Sequence, residues 1–77
     1  MDIIEHGFNR IGGFYVINHS RQVAQYAYPT SPLAVQAKRN PKAVLAKMLK
    51  GIESDLRCCP SHIIGQHYRA ICESRKA

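Results

Sequence analysis

Seventy-seven residues, 45% of them hydrophobic, suffice for one folded domain with a small core and leave no room for a second. No apolar run approaches the ~20 residues of a membrane-spanning helix, and the N-terminus lacks the basic start and apolar stretch of a secretory signal. A cytoplasmic protein with no membrane partner is the expectation. The net charge is +6, and most of it is local. Residues 1–37 set Arg10 and Arg21 against Asp2 and Glu5, whereas residues 38–50 hold Lys38, Arg39, Lys42, Lys47 and Lys50 with no acid. Residues 51–77 add four bases and three acids.

Residues 1–13 are the least patterned part of the chain. Ile3-Ile4 suggests a short strand, and Gly7, Gly12 and Gly13 punctuate the residues after it. The run from Gly7 to Gly12 has the outline of a dinucleotide-binding loop, but that motif needs a buried strand before it and a helix immediately after. A strand-like segment comes next instead, so the glycines read as turn residues.

Residues 14–28 predict a β-hairpin. Phe14 to Ile17 are all aromatic or β-branched, and Val23 to Tyr28 alternates in part between apolar and polar. Asn18-His19-Ser20-Arg21 supplies the turn. Both faces of the hairpin carry apolar side chains, so periodicity leaves the register open. Because an isolated hairpin is unstable, a third strand is expected from residues 3–11 or from a second copy of the chain. A homodimer whose hairpins pair across a two-fold axis is compatible with a nucleic-acid partner and with a protein partner alike. Tyr15, Tyr26 and Tyr28 cluster here, with Arg21 free at the tip. Half-buried strand tyrosines usually serve packing, and their alternative role is to stack on bases or grip a partner.

Two helices come after the hairpin. Ser31 caps a short helix over about residues 32–39, with Pro32 in its first position. Asn40-Pro41 repeats that start for the main helix, expected over about 41–56. Val44, Leu45, Met48, Leu49, Ile52 and Leu56 make one apolar stripe, and Lys42, Lys47, Lys50, Glu53 and Ser54 fall away from it. Lys38, Arg39 and Lys42 gather at the corner between the helices, where they complement the last carbonyls of the first. The N-terminus of the second helix begins at the same corner, which makes Asn40 to Lys42 the best candidate for contact with a phosphate. A last helix is expected over about 61–74, capped near Ser61 or Cys59. Ile64, Tyr68, Ile71 and Cys72 line its apolar face, and His62, Gln66, Arg69, Glu73 and Lys76 the other. Gly51 and Gly65 weaken their helices.

Cys58, Cys59, His62, His67 and Cys72 are zinc-type ligands, but their spacing departs from metal motifs, and His67 and Cys72 lie about 140° apart on a helix. Three cysteines without a signal peptide read as reduced thiols. No carboxylate pair and no nucleophile signature stands out, so no metal, cofactor or enzymatic activity is expected. The last two helices also have the outline of a helix-turn-helix that would present His62, Gln66 and Arg69 to a major groove.

Together these segments predict a small α+β single domain: an antiparallel hairpin, extended to three strands if a partner strand is found, then two to three helices packed on one face. The leading functional expectation is a basic, non-enzymatic binding module that contacts nucleic acid through Arg21, Lys38, Arg39, Asn40, Lys42, Lys47 and Lys50. Tyr15, Tyr26, His62, Gln66 and Arg69 form a second candidate contact face. The alternative is an adaptor or inhibitor of phage or mobile-element type, which would use the same basic patch and the hairpin aromatics to bind an acidic surface on a larger protein.

Overall fold

A computed structural model of the chain describes residues 2–75, so Lys76 of the last helix's polar face lies outside the described residues. The elements are β1 (Ile4–Phe8), β2 (Phe14–Asn18), β3 (Val23–Ala27), α1 (Pro32–Arg39), α2 (Pro41–Cys58) and α3 (Ser61–Ser74). The strands form an antiparallel meander in the order β1-β2-β3. The α+β class holds, and the third strand comes from the chain's own residues 4–8.

Two turns set the meander, and each is locked by a buried or half-buried asparagine. Between β1 and β2, the Asn9 side chain accepts from the Gly13 N–H at 2.8 Å and donates to the Tyr26 hydroxyl at 2.7 Å, reaching across β2 to β3. Gly12 has φ of 92°, a left-handed value that costs glycine little, and a Cβ on Gly13 would collide with the Tyr26 ring. Between β2 and β3, buried Asn18 accepts from the Arg21 N–H and donates to Asp2, both at 3.0 Å. The register that results pairs Phe8 with Phe14 and Tyr15 with Tyr26.

The helices divide between the two faces of this sheet, whereas the order of the elements predicts that they share one. Side chains alternate along a strand. Phe14 and Val16 of β2 join Val23 and Ala27 of β3 on the face covered by α1 and α2, where Ala34, Ala37, Val44, Met48 and Ile52 complete the larger core. Ile17 and Ala24 point the other way and are buried by Ile71 of α3, with Tyr15, Tyr26, Tyr68 and Cys72 around them. A strand that is apolar on both faces exposes one of them unless a layer lies on each side. Crossing from α2 to α3 through Cys59-Pro60 supplies the second layer.

The caps of α1 and α2 form as expected: Leu33 N–H donates to Ser31 Oγ at 3.3 Å and Ala43 N–H to Asn40 Oδ1 at 3.4 Å. For α3 the cap is Pro60, with no side-chain hydrogen bond, rather than Ser61 or Cys59. The two helical glycines differ. At Gly51 a Cβ would stand 2.5 Å from the Gln25 amide, so the missing side chain lets Gln25 pass beneath α2 to donate to Asp55 at 3.0 Å. At Gly65 a Cβ would meet nothing within 4 Å. Gly65→Ala is therefore expected to stabilise the fold by about 1 kcal/mol, through helix propensity alone. Gly51→Ala gains the same propensity but disturbs the Gln25–Asp55 bond, and is expected to be near neutral. Paired urea denaturation curves check both.

Candidate functional site

The basic residues that the sequence groups lie on the adjoining helices α1 and α2. Lys38 and Arg39 end α1, and Asn40 serves both helices: its N–H closes α1 on the Gln36 carbonyl at 2.7 Å, and its side chain caps α2. A shallow groove of about 210 Å3 runs between the helices, with Arg39, Asn40 and Lys47 in its wall. At 100° per residue, Lys42, Lys50 and Lys47 fan over about 140° of the outer surface of α2. Lys38, Arg39, Lys42, Lys47 and Lys50 are all exposed, and among the described residues none of them forms an ion pair. The start of α2 offers less to an anion than its position suggests. Pro41 has no N–H, Ala43 donates to the Asn40 side chain and Val44 to the Asn40 carbonyl, which leaves the Lys42 N–H in that turn. The site is one of side-chain cations more than of helix-end donors.

Arg21 is not free. Its guanidinium pairs with Glu53 Oε1 at 2.7 Å, bringing the β2–β3 turn against α2. The pair is exposed and contributes little to stability. Its electrostatic effect is larger, because Glu53 is the carboxylate that the helical repeat places between Lys42 and Lys50. Arg57 extends the patch beyond the sequence-based set. It lies seven residues after Lys50, within about 20° of it around the helix, and its Nε donates to the Glu53 carbonyl at 3.4 Å. The periodicity that grouped the lysines reaches Arg57 once α2 is seen to run on to Cys58.

The second candidate face separates into two parts. His62, Gln66 and Arg69 are exposed on the outside of α3. Tyr15 and Tyr26 are half-buried beneath that helix as packing groups, Tyr26 accepting from Asn9, and Tyr28 stands exposed with its ring edge-on to Tyr26 at 5.2 Å. Burial, and then the neighbouring Glu5 carboxylate, push the Tyr15 hydroxyl pKa up. Because α2 and α3 lie on opposite faces of the sheet, they do not form a helix-turn-helix. Cys58, Cys59 and His62 are exposed near the α2–α3 turn, and Cys72 is half-buried against the smaller core. No three His, Cys, Asp or Glu side chains among the described residues are arranged to hold a metal ion.

A polar network absent from the sequence reading fastens α3 to the sheet. His19 Nε2 donates to Glu5 Oε1 at 2.9 Å, and His19 Nδ1 meets the Tyr68 hydroxyl at 3.0 Å. Arg75 donates to the same Glu5 oxygen. The hydrogen bonds from His19 and then Arg75 hold the Glu5 carboxyl below its ordinary value of 4.5, against the partial burial that would raise it. A carboxyl whose pKa is lowered by folding stabilises the native state above its unfolded value, and that contribution is lost as pH falls through the folded value. Glu5→Gln is thus expected to be less stable than the parent at neutral pH and to converge with it in acid below about pH 4.5. Urea denaturation across that range tests the convergence.

A groove of about 700 Å3 between β3 and α3 has Gln25, Tyr26, Asp55, Gln66 and His67 in its wall and none of the basic cluster. It is not placed to receive phosphate. No described helix is long and apolar enough to cross a membrane. Comparison with protein-family models, with curated proteins and with solved structures gives no match for this chain.

Proposed function

We propose that this chain is a small, cytoplasmic, non-enzymatic binding module that grips the phosphate backbone of nucleic acid with the α1–α2 surface. The observation that carries the reading is the set of exposed cations without carboxylate partners, Lys38, Arg39, Lys42, Lys47 and Lys50, extended by Arg57, on a surface whose intervening acid is neutralised by Arg21. From Lys42 to Arg57 the surface runs about 22 Å along α2, a length over which one strand of a duplex places about six phosphates. The helix presents these cations on a backbone that is already ordered, so binding costs the ordering of the side chains and not of the backbone. Nothing on this surface is arranged to read base edges, so binding is expected to be salt-sensitive and weakly sequence-dependent.

Fluorescence anisotropy of labelled duplex DNA, single-stranded DNA and RNA, titrated with protein across a salt series, tests the proposal. Micromolar or tighter binding, with log Kd rising with log salt by several units of slope, supports it. Absence of binding at low salt rejects it and turns the same cations toward an acidic protein surface, the adaptor or inhibitor alternative.

A further inference from the structure

Among the described residues, no strand lies beside the outer edge of β1. Hydrogen bonds alternate along an antiparallel pair, and the bonds bracketing β1 fix their phase. His19 N–H donates to the Ile3 carbonyl and Asn9 N–H to the Gly13 carbonyl, both at 2.9 Å. The odd-numbered residues of β1 therefore bond inward to β2, and the N–H and C=O groups of Ile4, His6 and Phe8 point outward. The β1–β2 register is unbroken by a bulge, and β1 contains no lysine or proline, the devices that usually blunt an exposed edge. Apolar groups flank the strand: Ile3 and Phe8 are 66% and 42% exposed. Ile4, half-buried, borders a groove of about 350 Å3 together with Leu49 of α2. The opposite edge of the sheet differs in having helices beside it: Asp55 of α2 and Ile63 and His67 of α3 border Val23 and Ala24 of β3 across a small cavity.

We propose that a second copy of the chain occupies the β1 edge, with the two β1 strands pairing antiparallel across a two-fold axis to form one six-stranded sheet. This goes beyond the nucleic-acid reading and does not depend on it. The choice of a second copy rests on self-complementarity. A two-fold normal to the sheet keeps each side chain on its own face, so the pairing must be centred on a residue. Centring on Glu5 sets two carboxylates directly opposite each other. Centring on Gly7 puts the two glycines, poor strand formers, in the middle and pairs His6 with Phe8. Centring on His6 sets Ile4 opposite Phe8 of the second copy, apolar against apolar, and brings Asp2 toward Arg10, acid against base. It also satisfies the outward groups of Ile4, His6 and Phe8 together, two hydrogen bonds for each cross-strand pair. The mutual strand contact is short, so association is expected at micromolar concentration.

Sedimentation equilibrium of the nuclease-treated chain in reducing buffer, from about 5 to 500 µM, is the first test; that range brackets the expected dissociation constant. The mass is expected to rise from 8.7 kDa toward twice that value. His6→Pro removes an outward N–H and no bond to β2, and is expected to weaken dimerisation at least tenfold with an unchanged circular dichroism spectrum. The register is tested by cross-linking in a background of Cys58→Ser, Cys59→Ser and Cys72→Ala. His6→Cys puts two thiols on the axis, with Cα atoms about 5.5 Å apart as in any hydrogen-bonded pair, and is expected to oxidise to a disulfide dimer. Glu5→Cys is expected to stay monomeric under the same conditions. A monomer at every concentration, or cross-linking at Glu5→Cys equal to that at His6→Cys, overturns the proposal. Association retained in full by His6→Pro overturns it as well and points to another surface.

Discussion

Phe14→Ala is expected to remove most of the stability of this chain. Phe14 is 1% exposed and is among the largest fully buried side chains. Its ring lies 5.1 Å from that of Phe8 and 6.4 Å from that of His6, centroid to centroid, on the face covered by α1 and α2. Truncating a buried phenylalanine costs about 3–5 kcal/mol, because the lost transfer energy is joined by the energy of the cavity left behind. A domain of this length has roughly 4–12 kcal/mol in all. The same core contains Ala27, Ala34 and Ala37, whose side chains are too short to move into the space. Urea denaturation followed by circular dichroism is expected to show the midpoint falling toward zero denaturant, with little or no native baseline at 37 °C. Ile17→Ala on the other face is expected to cost less. The tyrosines around it, Tyr15, Tyr26 and Tyr68, are large and only half-buried, and can lean into the gap. A loss below about 1.5 kcal/mol for Phe14→Ala would show that α1 and α2 are seated on the sheet by something other than this ring.

The contrast between those two faces also marks where the sequence stopped being informative. The helices were legible because their boundaries are written in local chemistry. Ser31-Pro32 and Asn40-Pro41 each join a capping side chain to a proline that needs no donor, and both caps form. The hairpin was legible for the same reason. Its layering was not, because Phe14 and Val16 on one side and Tyr15 and Ile17 on the other look equally fit to be buried. The position of α3 decides between them, and that depends on where the chain goes after Pro60. Strand β1 was the hardest to see. Glu5, His6 and Gly7 are weak strand formers, and the strand is held by Asn9 reaching Tyr26 and Asn18 reaching Asp2, contacts 17 and 16 residues apart. At the candidate site, the lysine cluster could be read directly as spacing on a helix. The pairing of Arg21 with Glu53, 32 residues away, could not, and it changes the role of both residues: Arg21 leaves the set of free cations and Glu53 ceases to interrupt the patch.

Reversing the charge of Lys42, Lys47 and Lys50 together is expected to abolish nucleic-acid binding at physiological salt and to leave the fold intact. All three are exposed on the outer surface of α2, so their removal uncovers no core. A glutamate at position 42, in the first turn of the helix, opposes nothing there and interacts favourably with the helix dipole. The binding energy responds differently. Each cation that neutralises a backbone phosphate releases a counterion and contributes about 0.9 to the slope of log K against log salt, so losing three contacts is expected to lower the slope by nearly three. Reversal adds repulsion to that loss, and at 0.15 M salt the affinity is expected to fall by more than a hundredfold. Lys38→Glu with Arg39→Glu, at the edge of the surface, is expected to give a severalfold loss at low salt. Replacing His62, Gln66 and Arg69 by alanine provides the matched control on the outside of α3, and its affinity is expected to stay within about twofold of the parent, since the proposed grip does not include that helix. If the α3 variant loses binding while the α2 variant retains it, the contact surface lies on the far face of the sheet. If both bind as the parent does, the cations of α1 and α2 are not the means of binding. A selective loss in the α2 variant, with the salt slope reduced in step, would identify the electrostatic surface by a quantity that a general loss of folding does not mimic.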